Sequence, residues 1–586
     1  MKLSWKPRQW LALGALLASC CAVIAIGVVE HNAAQKAEVA ALLPEGALLS
    51  IEADDFSSLL HDWNSSAEKR AWIKGDNYAA FSRSRLFERL AQAQGEFSEV
   101  AAIDTGPEML EAIAGKQSGL ALYDIGKLEF VYITRMDAGR AQSLPLWQAR
   151  DKFERRSEAG SDFYLRKDAK TGREASFALR DGWLILGTRQ DLVAGVLDRI
   201  AGKSDHNLGN EAWYAEAIKQ AGERGELRMA LDLAHIVPSP YFRSYWVQRN
   251  ITGMKQYVSA VSDLRRDGLV YREERVLLRH ENSSGALQGD AQALFQIAPE
   301  DAALAVAQVP GNAAQVLAEM REDLLELRPA GAHSRATAAP AAAGEENAGT
   351  AAQLDVDLSQ APMVEARTDL FQPLLAVLNE AEPLQMLRCY ESPAPQDDLF
   401  VDLHAAMVLQ ARNRWNEDAV RNALTGALAS GATVNKLGAQ WVKRSGSAGD
   451  YLALDGALPL FLKLDGQRLF LSTDAALMEK LLGRAHGASS PASNNQTYLA
   501  VFRTAQARPS FLQLTRQLAR AGGNAAAPKT SEDEDASTPM NGAAPLFLSG
   551  NIASLSKAFA RLDSEEVAER DLGATVRQSV TYRWKQ

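Results

Sequence analysis

The sequence predicts an α+β protein: two tandem homologous modules of curved antiparallel sheet with helices on one face, preceded by one transmembrane helix. Three observations carry this reading. An uncharged run of twenty residues stands near the N-terminus. The remaining chain is written twice. Asp-Gly pairs separate short runs of alternating polar and apolar residues, which is a hairpin signal and implies antiparallel pairing.

The N-terminus comes first. Residues 1–9, MKLSWKPRQ, carry Lys2, Lys6 and Arg8 and no acid, and residues 10–29 are uncharged and mostly apolar. At ~1.5 Å per residue such a run spans roughly 30 Å, the thickness of a bilayer core. Basic residues before the run and Glu30 after it orient the chain with residues 1–9 as a cytoplasmic tail and residues 10–29 as a signal-anchor. The bulk of the chain is then expected outside the inner membrane, on the periplasmic side. Two other readings stay open. Leu17-Ala18-Ser19-Cys20 has the form of a lipobox, which would place a lipid on Cys20. Signal-peptide cleavage after HNAAQKA is the other. Against lipidation, the apolar run continues uninterrupted from Cys21 to Val29, where a polar tether is normal.

The first module is expected over 40–290 and the second over 291–586. LLPEGALLSIEADDFSSLL (42–60) matches IAPEDAALAVAQVPGNAAQVL (297–317), each a Pro-Glu-x-Ala start, a strand and a helix start. ASFALRDGWLILGTRQDLVAGVLDRIAG (175–202) matches LFLKLDGQRLFLSTDAALMEKLLGRA (460–485), each with strand, Asp-Gly turn, strand and amphipathic helix. The turns are Asp181-Gly182 and Asp465-Gly466. Low-complexity stretches at about 329–362 and 522–545 lengthen the second copy; neither carries enough apolar surface to order itself. In the first copy, Ser65 and Glu68 have capping-box spacing, and Phe81, Leu86, Phe87 and Leu90 line one face of a following helix. Trp63, Trp72, Trp147, Trp183, Trp213 and Trp246 also lie in the first copy and are read as core and helix–sheet contacts.

Composition narrows function by exclusion. A net charge of −10 argues against a nucleic-acid partner, whose phosphates require Lys and Arg. Of three cysteines, Cys20 and Cys21 lie in the apolar run, leaving Cys389 unpaired and expected as a buried, inert thiol. Eight histidines show no ligand spacing and there is no Cys-x-x-Cys, so no metal site is indicated. Ser66-x-x-Lys69, Gly75-Asp76-Asn77 and Lys170-Thr171-Gly172 imitate a serine β-lactamase signature. The middle element follows the serine too closely, and the last falls in a hairpin turn. Ala201-Gly202-Lys203-Ser204 lacks the first glycine of a phosphate-binding loop, and Ser531–Asp535 lacks calcium-loop spacing. No catalytic residue and no cofactor is identified.

The Pro-Glu-Gly-Ala start, the DWNSSAEKRAW…SRSRLFERLAQAQ helix pair and GLALYDIGKLEFVYITRMDAG resemble an uncharacterised bacterial envelope family. Its members have an N-terminal membrane segment and extracytoplasmic domains of unknown function. The resemblance covers most of 40–290 and, more weakly, 295–586. It implies location and architecture and carries no site residues. The expectation is a membrane-anchored extracytoplasmic protein with a non-enzymatic binding or scaffold role, held to the membrane by residues 10–29, with a protein or lipid partner. An extracytoplasmic hydrolase with an unrecognised site is the alternative.

Overall fold

The computed structural model describes residues 38–74, 78, 82, 85–241, 254–280, 287, 289–325, 368–393, 403–428, 440–454, 459–487, 494–510, 513 and 561–585. The expected span at 10–29, Cys20, and both low-complexity stretches lie outside these residues. Among the described residues no helix is long and apolar enough to cross a membrane. The chain divides into two compact units, Met1–Gly285 with Gly573–Val580, and Ala286–Leu572 with Thr581–Gln586.

The first unit is an antiparallel sheet with helices, so the α+β class holds. Its strands are β1 (Leu49–Ala53), β2 (Ser118–Asp124), β3 (Glu129–Arg135), β4 (Glu154–Glu158), β5 (Ser161–Lys167), β6 (Glu174–Arg180), β7 (Trp183–Gly187), β8 (Leu227–Asp232), β9 (Tyr257–Asp267) and β10 (Val270–Arg279). They pair antiparallel in the order β10-β9-β8-β1-β2-β3-β7-β6-β5-β4. Gly573–Val580 counts with this unit, and the Arg279 N–H donates to the Ala574 carbonyl at 2.9 Å.

The second unit has β11 (Leu304–Gln308), β12 (Pro383–Glu391), β13 (His404–Ala411), β14 (Trp441–Gly446), β15 (Gly449–Leu454), β16 (Leu460–Asp465), β17 (Arg468–Ser472), β18 (Tyr498–Arg503) and β19 (Leu562–Asp571); the last strand, β20 (Thr575–Trp584), counts with the first unit up to Val580 and with the second from Thr581. Its pairings run β19-β18-β11-β12-β13-β17-β16-β15-β14.

One expectation is corrected. Helices cover both faces of the sheet in each unit, not one. In the first unit, helices Glu38–Leu42, Gln190–Ile200 and Ala212–Gln220 pack Val39, Val193 and Tyr214 over Ala121, Ile133 and Ile185. On the opposite face, helices Arg85–Ala101 and Pro107–Ile113 and the short turns that follow pack Val100, Met109 and Leu146 over Tyr132, Leu184 and Leu186. The physical cause is in the central strands. All five residues of β7, WLILG, are buried, as are Val131–Thr134 of β3. Such continuous apolar runs need cover on both sides. The second unit does the same: Ala475–Gly487 lies on one face, and Ala313–Met320, Thr368–Ala381 and Glu417–Leu428 lie on the other.

Local details refine the turns and caps. Asp181 and Gly182 both take positive φ, 49° and 77°, as a type I′ hairpin requires. In the second unit Asp465 ends β16, and Gly466 (φ 60°) opens the turn instead. The capping serine is Ser66 rather than Ser65: its Oγ accepts from the Lys69 N–H at 3.0 Å, while Ser65 ends the preceding helix. Phe81 and the side chain of Leu86 lie outside the described residues.

Candidate functional site

Between the sheet of the first unit and helix Arg85–Ala101 lies a cavity of about 510 Å³. Its floor follows from strand register. Met229, Ile51, Leu120, Tyr132 and Leu186 form one cross-strand row over β8, β1, β2, β3 and β7. The neighbouring rows put Leu227, Ala53 and Ser118 to one side and Leu122 and Phe130 to the other. Period-two alternation places all of them on one face.

The roof is the inward stripe of helix Arg85–Ala101: Leu90, Ala93, Gln94, Phe97 and Val100 line the space at helical spacing. Phe97 and Phe130 meet across it with ring centroids 5.9 Å apart. Helix Pro107–Ile113, opened by a proline at its first turn, supplies Met109, Leu110 and Ile113 as a side wall. The Gln94 side-chain amide donates to the Thr105 carbonyl at 2.9 Å, tying roof to wall. Leu90 and Leu110 line the cavity yet remain 45% and 43% exposed, so the space opens to solvent beside them.

Polar lining is segregated. Inside, Ser118 and Thr134 hydroxyls bond at 2.6 Å, and the Tyr132 hydroxyl donates to the Ile113 carbonyl at 3.2 Å. Burial pushes the Tyr132 hydroxyl above its ordinary pKa, so it stays protonated. Charged lining residues are confined to the end beside the β2–β3 turn: Glu96, Lys127, Arg173 and Glu174. There Glu96 pairs with Arg173 at 2.7 Å and Arg89 at 3.5 Å. Arg173 also donates to the Lys127 carbonyl at 2.7 Å, and Arg89 to the Gly126 carbonyl at 3.0 Å.

At the corresponding place in the second unit the described residues are packed differently, and the difference is visible in the sequence. By the repeat spacing Val306 stands where Ile51 stands, and Val306 faces Arg388 where Ile51 faces Leu120. Arg388 pairs with Glu319 at 2.9 Å and Asp323 at 3.4 Å, and the Tyr390 hydroxyl donates to Asp323 at 2.6 Å. Around this network Met320, Leu374, Leu378, Met407 and Leu471 are almost fully buried. Among the described residues, charge pairs and core side chains stand here in the second unit, where the first unit has its apolar cavity.

A second recess of about 560 Å³ in the first unit is polar, gathering Asp54, Asp55, Asp62, Arg224, Arg265, Arg266, Arg272 and Glu274. Arg224 pairs with Glu52 and Asp54, each at 3.3 Å. Burial works to raise the Asp55 pKa, but hydrogen bonds from Ser58 and Ser57 outweigh it and hold the carboxyl low. That is opposite to what a general acid needs.

The residues weighed in the sequence settle into structural places. Ser66 and Lys69 belong to a helix cap, and Gly75-Asp76-Asn77 lies outside the described residues. Asp168 accepts from the backbone N–H groups of Lys170 (3.1 Å) and Thr171 (3.2 Å), fixing the exposed β5–β6 turn. Cys389 is 1% exposed, and burial pushes its thiol far up. His206, His235 and His404 each face one acid, Glu45, Asp232 and Asp474. Among the described residues no three His, Cys, Asp or Glu side chains gather as metal ligands. Trp183 is core, Trp147 packs edge-on against Tyr164 and Phe177, and Trp63 is exposed; Trp246 lies outside the described residues. Sequence reading did not single out Leu120, Phe97 or Phe130, because each looks like ordinary core.

No family model and no curated protein matches the chain. One solved structure, crystal form I of TP0453, is similar at 9% identity, covering 42% of this chain and 79% of that one, with a TM-score of 0.23. A likeness at that score carries no argument.

Proposed function

We propose that this is a membrane-anchored extracytoplasmic protein whose first unit binds an apolar or amphiphilic small molecule in the cavity beneath helix Arg85–Ala101. The single observation that carries this is the cavity itself. Its volume, about 510 Å³, falls within the roughly 300–1,000 Å³ of small-molecule sites. Its lining is apolar side chains on regular elements, with the few charges at one end. Each methylene moved from water into such a site contributes about 0.8 kcal/mol. The like order of strand pairing in the two units supports a tandem duplication in which one copy kept the space and the other filled it.

The binding test uses the full-length protein held in amphipol and titrated with a fluorescent long-chain acyl probe. One saturable site is expected, lost in Leu120→Trp, whose indole occupies the floor. Absence of saturable binding in the parent protein would sink the reading. The anchor is supported by the basic flank and the uncharged run at 10–29. Cys20→Ser should leave the protein in the membrane fraction; its release would favour a lipid anchor instead.

A further inference from the structure

We infer that the occupant of this cavity is a single-chain amphiphile with an anionic head, its tail running inward and its head held at the β2–β3 turn by Lys127. The inference rests on the binding function proposed above and names its ligand class.

Polarity along the cavity sets the direction. Away from the charged residues the lining is Phe56, Met109, Ile113, Tyr132 and Leu146, and its polar atoms at Ser118 and Tyr132 are already hydrogen-bonded. An ionised head could not be satisfied there without leaving buried charge unpaired. The other end carries every charged lining residue.

The sign of the head follows from which charges at that end are already engaged. Glu96 is shared by two arginines, Arg173 at 2.7 Å and Arg89 at 3.5 Å. Glu174 accepts from Lys167 at 3.2 Å and from the Gln190 N–H at 2.9 Å. Both carboxylates are therefore occupied, and a cationic head would have to displace an existing partner. The cations differ. The Lys127 ammonium is 69% exposed and lies 4.0 Å from Glu129, whose nearer partner is Arg189 at 3.1 Å. An ammonium offers three donors, and a guanidinium five. Lys127 stands on the turn with its backbone N–H fixed to the Asp124 carboxylate at 2.8 Å, so its side chain projects from a defined anchor. A carboxylate or phosphate at this end gains a charge-assisted hydrogen bond from Lys127 while the chain stays over Leu120 and Leu122.

The experiment compares palmitate, monopalmitoyl glycerol phosphate and hexadecanol on the full-length protein in amphipol at pH 8. At least one anion should bind about tenfold more tightly than the alcohol, the scale of one charge-assisted hydrogen bond. The tighter anion distinguishes a carboxylate from a phosphate head. Lys127→Gln should bring the anion-to-alcohol ratio toward one, and Lys127→Arg should restore it. Lys127 is an exposed turn residue, so folding is not at stake. Equal binding of anions and alcohol, or a ratio unmoved by Lys127→Gln, overturns the anionic head and leaves the cavity reading standing. If none of the three binds, both fall.

Discussion

Leu120→Phe offers a direct measure of whether space exists above the floor. In a solid core, added side-chain volume forces strain and typically costs about 1–3 kcal/mol. Leu120 lies at the centre of the cross-strand row, with Ile51 and Tyr132 beside it and the cavity of about 510 Å³ above. A phenyl ring there meets open volume. Taking roughly 40 Å² more apolar surface buried at ~25 cal/mol per Å², the gain is about 1 kcal/mol. Leu471, on β17 of the second unit, is the control. It is fully buried among Met407, Leu409 and Leu469, so the same change should cost about 1–3 kcal/mol. The two variants are read by hydrogen exchange in urea, following peptides of each unit separately. Leu120→Phe should slow exchange of β2 and β3 or leave it unchanged; Leu471→Phe should speed exchange of β13 and β17. A Leu120→Phe protein destabilised as much as Leu471→Phe would refute the open cavity.

Other outcomes follow from the same structure. Arg388→Ala leaves Glu319 and Asp323, whose side chains are only 17% and 10% exposed, without the cation between them, and should destabilise the second unit by about 3 kcal/mol in urea unfolding. Arg388→Met together with Glu319→Gln and Asp323→Asn should recover most of that loss. Burial raises the Glu273 pKa, but the Arg275 ion pair at 2.6 Å and the Ser262 hydroxyl more than offset it, so its folded pKa lies below the unfolded one. Its stabilising contribution is therefore present above the ordinary carboxylate range and is lost as pH falls through the folded pKa. Glu273→Gln should flatten the acid limb of first-unit stability below about pH 5. Cys389 should resist iodoacetamide at pH 8 in the native protein and react only in step with unfolding of the second unit, as peptide mass spectrometry would show.

Much of the fold could be read from pattern. The Asp181-Gly182 pair, the repeated Pro-Glu-x-Ala starts and the alternating strands lead to antiparallel hairpins, and the Lys170-Thr171-Gly172 element is a turn as its sequence implies. The second helical layer was hidden in plain form. WLILG and VYIT are continuous apolar runs, the mark of a strand covered on both faces, but each was short enough to pass as one-sided. The cavity was harder still. Leu120, Leu122 and Phe130 have the composition of core, and what distinguishes them is the absence of atoms opposite, which no single position records. The signal lay in comparing the two units: Arg388 faces Val306 as Leu120 faces Ile51, and a buried cation needs carboxylate partners that an apolar position does not.

The contribution of Gly573–Val580 to the first unit bears on biogenesis. Besides the Ala574 contact, the Arg279 guanidinium donates to the Gly573 carbonyl at 2.9 Å, and Arg275 donates to Gln578 at 2.9 Å. About 290 residues separate Gly285 from this segment. At ~5–20 residues per second, roughly 15–60 s of synthesis pass before it leaves the ribosome. Through that interval β10 has an open edge, available to any other extended chain. A stop codon that removes Gly573–Val580 would therefore injure the half of the protein that was made first.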